Sequence, residues 1–140
     1  MSLYIFDTDH VTLHQHGHAH IVAAIQSHSA DDLAITVVTV EEQMRGRLAQ
    51  IGRPGVNLAL AYEQLKLTAH YFCDLTILPF DPAAQDIYQR LRAQNIRVGT
   101  LDLRIAAIAM ERDAVLVTRN AHDFRQVPRL ALTDWSTGGA

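Results

Sequence analysis

Leu101-Asp102-Leu103-Arg104-Ile105-Ala106-Ala107-Ile108-Ala109-Met110-Glu111-Arg112-Asp113 runs directly into Ala114-Val115-Leu116-Val117-Thr118. The first stretch, rich in Ala, Leu, Ile and Met, predicts a helix over 101–113. The second is a short apolar run and predicts a buried strand. The same alternation extends to either side. Toward the N-terminus, Asp81-Pro82 has the form of an N-cap with proline at the first helical position, followed by the stripe Ala84, Ile87, Tyr88 and Leu91. Thr76 to Leu78 is a brief strand candidate, Leu58, Ala61, Tyr62, Leu65, Ala69 and Phe72 form a helical stripe, and Gly52-Arg53-Pro54-Gly55 breaks the chain before it. Thr39-Val40-Glu41-Glu42 has the form of a capping box opening a helix toward Gln50, directly after the β-branched run Leu33 to Val38. Ile21, Val22, Ala24 and Ile25 fall at helical spacing, and Leu3 to Phe6 is an apolar strand ending at Asp7. Beyond Thr118, Asn120 caps a short helix through Phe124, and Leu130 to Thr133 is a last strand candidate. Strands separated by one or two helices need long crossovers, which predicts an α/β protein: a three-layer α/β/α sandwich around a mostly parallel central sheet.

The length of 140 residues, 49% hydrophobic and 19% charged, is that of a single domain, expected to span 1–140. The lone cysteine, Cys73, cannot close an internal disulfide and is expected to be a small core hydrophobe; Trp135 is expected to be a packing or interface residue at the C-terminal edge. No apolar run approaches the ~18 residues of a membrane span. The chain opens into Leu3-Tyr4-Ile5-Phe6 without a basic segment and long apolar run, so no secretory leader and a cytoplasmic location are expected. The formal charge of -3 conceals an uneven distribution. Residues 1–89 carry ten acids and four bases, whereas residues 90–129 carry eight arginines and four acids. Arginine makes forked contacts with phosphate, although a solvated or partner-binding face accounts for the same residues.

In open α/β sheets ligands gather outside the carboxyl ends of strands. Asp7 stands at such an end, Glu42 lies about one turn into the helix after the second strand, Asp102 lies in the first turn of its helix, and Asp123 follows the 114–118 strand. Four carboxylates at close range need something positive between them, and hard oxygen ligands favour Mg²⁺ or Mn²⁺. Each acid also has an ordinary explanation. Asp7 could cap a helix, a capping box accounts for Glu42 and leaves Glu41 as the alternative ligand, Asp102 suits a helix dipole, and Asp123 suits a local turn.

The ordered series of segments is more specific than any one acid. Tyr4-Ile5-Phe6-Asp7-Thr8-Asp9, Ile35 to Gly46 with Glu41-Glu42, Gly99-Thr100-Leu101-Asp102-Leu103-Arg104-Ile105-Ala106-Ala107, and Leu116 to Pro128 with Asn120 and Asp123 together resemble PIN-domain ribonucleases of the VapC toxin type, over residues 3 to about 135. The resemblance implies that Asp7, Glu42, Asp102 and Asp123 are the catalytic and metal-holding acids, Glu42 rather than Glu41 because the family's acid stands four residues before a glycine, here Gly46. Thr8, Thr118 and Asn120 would support the pocket, with Asp9 beside them at a position that is often Asn in the family. It further implies RNA cleavage with Mg²⁺ or Mn²⁺, a homodimer, and a small cognate antitoxin protein that covers the site.

Two other readings stay open at this level. Asp7-Thr8-Asp9 resembles the nucleophile loop of haloacid-dehalogenase-type phosphatases, but the only lysine, Lys66, sits mid-helix and no late acidic pair follows. The histidines His10, His14, His16, His18, His20 and His28 include the i, i+4 pairs His14/His18 and His16/His20, which suit zinc on one helix face; Gly17 interrupts them, and a solvated or partner-facing segment is the simpler expectation. A PIN-like domain that only binds RNA or protein is the remaining non-catalytic alternative.

Overall fold

In the computed structural model, residues 2–137 are described. The expected domain of residues 1–140 therefore extends beyond them by Met1 and Gly138 to Ala140. Among the described residues five strands form one sheet: β1 (Tyr4–Phe6), β2 (Leu33–Thr36), β3 (Ile77–Leu78), β4 (Val115–Val117) and β5 (Ala131–Thr133). Their order is β3-β2-β1-β4-β5 and every pairing is parallel. Seven α-helices connect them: α1 (Thr8–Gln15), α2 (Ala19–Gln26), α3 (Val37–Ile51), α4 (Leu58–Cys73), α5 (Pro82–Ala93), α6 (Thr100–Glu111) and α7 (Ala121–Phe124).

Alternation along the strands creates two cores. Ile5, Ala34 and Leu116 enter one with the α5 and α6 residues Ala84, Leu91, Ile105 and Ile108. Their neighbours Phe6, Ile35 and Val117 enter the other with Val11 of α1 and Phe72 of α4. Both faces of the sheet are thus apolar and covered, which is why its strands read as continuous hydrophobic runs. The expected three-layer sandwich is the observed architecture. From β1 the chain builds outward to β2 and β3, then returns to the other side of β1 as β4. That reversal opens a crevice between the carboxyl ends of β1 and β4, the place where such sheets hold ligands.

Several boundaries differ from expectation. β2 stops at Thr36, not Val38, because β3 supplies partners only as far as Thr36, opposite Leu78. Thr36 then becomes the N-cap of α3, its hydroxyl accepting the Thr39 N–H at 3.2 Å. The Thr39-to-Glu42 capping box is therefore not the helix start; Thr39 is buried within the first turn. Helix α1, poor in apolar residues, was not evident from periodicity. Asp7 caps it, accepting the His10 N–H at 2.8 Å, and Gly17 at φ +72° ends it, a conformation that disfavours a side chain. Along α4 only part of the expected stripe is buried: Ala61 and Phe72 are, whereas Leu58 and Tyr62 are more than half exposed. Helix α4 packs along α3, which turns that edge of the stripe outward. Cys73, at the end of α4, is exposed rather than in the core. Trp135 packs as expected, with its ring against Tyr4, Phe6 and His28.

The Asp81 cap is observed as read, accepting the Ala84 N–H at 2.9 Å with Pro82 in the first turn. Asp81→Ala is expected to cost about 1 kcal/mol, seen as a fall of about 3–5 °C in thermal denaturation; no shift would mean the cap contributes nothing.

Candidate active site

Four acids from four elements stand around the β1/β4 crevice, the other three within electrostatic reach of Asp102. Asp7 leaves the end of β1 and is 95% buried, its backbone N–H bonded to the Val117 carbonyl of β4 at 3.0 Å. Asp102 stands in the first turn of α6, where the helix dipole favours negative charge. Glu42 sits in the second turn of α3 and Asp123 on α7. Burial comes first in holding the Asp102 carboxyl up at about 6, followed by the negative charges of Glu42, Asp7 and Asp123. One carboxyl is thus close enough to the other three to resist ionising beside them.

Polar neighbours orient these acids. The Thr8 hydroxyl donates to Glu42 Oε1 at 2.6 Å and lies 3.1 Å from the Thr39 hydroxyl, linking α1 to α3. This contact, rather than a capping box, holds Glu42. Glu41 is committed elsewhere, in an ion pair with Arg45 one turn on. Thr118 is fully buried at the end of β4, and its hydroxyl accepts the Asn120 N–H at 2.9 Å. The Asn120 amide then donates to Asp123 Oδ2 at 3.0 Å instead of capping α7. Of the three expected pocket residues, Thr8 and Asn120 thus contact the acids directly, and Thr118 contacts Asn120. Asp9 does not join them; its carboxylate is exposed and paired with Arg119 at 2.7 Å. That geometry disfavours the phosphatase reading, which needs Asp7 and Asp9 on one reacting centre.

Other sequence expectations divide. His16 and His20 are exposed, in keeping with a solvated or partner-facing segment, but His10 is completely buried between Asp7 and Asp134, contrary to it. His14 contacts the Tyr71 hydroxyl at 2.6 Å, and His28 stacks on Trp135. Because α1 ends before Gly17 and α2 begins after His18, neither i, i+4 histidine pair lies on one helix. The arginines of 90–129 are dispersed: Arg92 and Arg104 lie over the Tyr88 ring, while Arg119 stands at the site's rim. Sequence reasoning did not single out Arg47 and Arg53, which with Thr8 and Glu42 line a cleft of about 340 Å³. No local motif marks them, since the cleft forms only when α1 meets α3.

The donor set is all oxygen, which suits a hard divalent cation, and the raised Asp102 carboxyl marks negative charge that such an ion would offset. Among the described residues, however, no three His, Cys, Asp or Glu side chains converge closely enough to ligate one ion as they stand. The acids fit the ion by donor type and by field.

A parallel α/β sheet with carboxylates gathered at its switch point defines the class, an acid-cluster α/β domain. Residues 4–130 match the PIN domain family, and the chain belongs to it. Ribonuclease VapC2 of Rickettsia felis is 34% identical over 65 residues, covering 44% of this chain and 48% of that protein. The match thus spans about half the length of that relative. Among solved structures, DNA-bound VapBC from Salmonella typhimurium is similar with a TM-score of 0.80 at 23% identity, covering 96% of this chain and 99% of that one. VapBC-1 from nontypeable Haemophilus influenzae gives 0.78 at 20% identity, with 96% and 99% covered. VapBC2 from Rickettsia felis, bound to a DNA fragment from its promoter, gives 0.76 at 22% identity, with 95% and 98% covered. At these identities the likeness shows the shared fold.

Proposed function

We propose that this chain is a Mg²⁺- or Mn²⁺-dependent endoribonuclease, the toxin of a toxin–antitoxin pair. The observation that carries the reading is the grouping of Asp7, Glu42 and Asp123 within electrostatic reach of Asp102 near the sheet's switch point, where burial and the other three hold its carboxyl up to about 6. PIN family membership, the similarity to a ribonuclease and the likeness to VapBC complexes support it.

In this reading Asp7 and Asp102 are the principal metal ligands. Glu42 would ligate directly or through water, and Asp123 would ligate or orient the attacking water. A divalent ion held there would supply an activated water and charge stabilisation at the phosphoryl oxygens. Thr8 fixes Glu42, and Asn120 fixes Asp123 through hydrogen bonds that leave each carboxylate one unengaged oxygen among the described contacts. Arg47 and Arg53, in the cleft that Glu42 also lines, offer cationic contacts for the RNA backbone on the approach to the acids. The partners are RNA, a small cognate antitoxin protein and a second copy in a homodimer; the location is the cytoplasm. No described helix is long and apolar enough to cross a membrane.

Incubating the protein with a labelled RNA panel in Mg²⁺, Mn²⁺ or EDTA tests the reading. Cleavage with either metal and none in EDTA is expected. Cleavage indifferent to EDTA would overturn the metal site, and phosphate release from small phosphomonoesters without RNA cleavage would restore the phosphatase alternative.

A further inference from the structure

His10 is a histidine that the proposed chemistry does not use, yet it is 0% exposed and touches the most buried acid of the site. Its backbone N–H donates to Asp7 Oδ1 at 2.8 Å, and its ring Nδ1 lies 3.3 Å from the same oxygen. On the opposite edge Nε2 lies 3.4 Å from Asp134 Oδ1, within ion-pair range but not aligned as a hydrogen bond. Asp134 follows β5, and its Oδ1 is anchored by the Ser136 N–H at 2.8 Å and the Ser136 hydroxyl at 2.6 Å. The ring therefore spans from the end of β1 to the end of β5, across the carboxyl end of β4.

We propose that His10 is a positioning residue for the Asp7 carboxylate, backed by Asp134, so that Asp7 Oδ1 is held and Oδ2 is presented to the other acids. The inference rests on the metal-nuclease reading and adds to it a residue that orients a ligand without touching substrate. A helix cap needs only the backbone N–H of His10, so a cap alone does not account for the ring. Packing alone does not account for two carboxylate oxygens facing its two nitrogens. Among the described residues no hydrogen bond falls on Asp7 Oδ2, which is the oxygen the arrangement leaves for a cation. Partners that orient metal-bound ligands in this way typically carry about 10–100-fold in affinity or activity.

Asparagine places its amide N–H near the position of Nδ1 and glutamine near that of Nε2, which separates the two contacts at similar polarity. Mn²⁺ binding by isothermal titration calorimetry, with kcat and KM for RNA cleavage, is measured on the wild type, His10→Asn, His10→Gln and Asp134→Asn, the last at a partly exposed side chain. His10→Asn is expected to keep Mn²⁺ affinity and kcat within about 5-fold. His10→Gln is expected to lose about 10–100-fold in both, with KM little changed, and Asp134→Asn to lose a few-fold. Equal behaviour of His10→Asn and His10→Gln, or full Mn²⁺ affinity in both His10→Gln and Asp134→Asn, would overturn the positioning role while leaving the nuclease reading intact. Absence of Mn²⁺ binding by the wild type would instead overturn the nuclease reading, and this inference with it. If neither His10 variant folds, wild-type Mn²⁺ affinity in Asp134→Asn overturns the positioning role, and a loss of affinity supports it.

Discussion

Asp7→Asn is expected to lower metal-dependent RNA cleavage by at least about 10²-fold while leaving the protein folded. The choice of asparagine matters because Asp7 does two jobs. Its Oδ1 caps α1, accepting the His10 N–H, and asparagine is an equally good N-cap. Its negative charge, 95% buried at the crevice, is what the isosteric amide removes. Asp7→Ala would confound the two by also losing the cap, worth about 1 kcal/mol. Matched thermal denaturation and cleavage assays on Asp7→Asn check the expectation. Wild-type cleavage by a folded Asp7→Asn protein would remove Asp7 from the site.

Asp102→Asn should separate stability from activity in opposite directions. An unfolded aspartate releases its proton near 3.8, whereas burial and the surrounding acids hold the folded Asp102 carboxyl up to about 6. A raised carboxyl contributes stability that is complete below the unfolded value and lost as pH rises through the folded one. The metal-free wild type therefore loses stability across that window, and the uncharged amide does not. After discounting for solvent screening of a partly buried group, Asp102→Asn should be about 1–2 kcal/mol more stable at pH 7–8, or about 3–6 °C in melting temperature, and should converge with wild type near pH 4. The same variant should lose cleavage by at least about 10²-fold and lose the rise in melting temperature that Mn²⁺ confers on the wild type. Melting curves from pH 4 to 8, with and without Mn²⁺, give both answers. A variant less stable than wild type at pH 8 would mean that the carboxyl is not under electrostatic strain.

The strands were legible because burial on both sides of a parallel sheet leaves uninterrupted apolar runs such as Leu116-Val117, and α6 was legible because it is buried almost all round, from Ile105 to Ala109. The Asp81 cap was legible because proline and a short acidic side chain act within one turn. Thr39 to Glu42 misled for the complementary reason: a capping box is a local pattern, and the true cap moved to Thr36 once β3 ended the ladder there. Arg119 shows the limit most directly, since its partner Asp9 is 110 positions away and no spacing rule connects them.

By itself, the sequence determined the layer architecture, the order of the strands and of every helix but α1 along the chain, and the candidacy of Asp7, Glu42, Asp102 and Asp123, because hydrophobic period and residue chemistry are local properties. Only the tertiary structure decided which polar groups share one crevice. It sent Asp9 outward to Arg119, placed Thr8 on Glu42, and enclosed His10 between Asp7 and Asp134. The physical reason is the strand order: inserting β4 between β1 and β5 brings residues from both ends of the chain to the same carboxyl edge, and that proximity has no trace in local sequence.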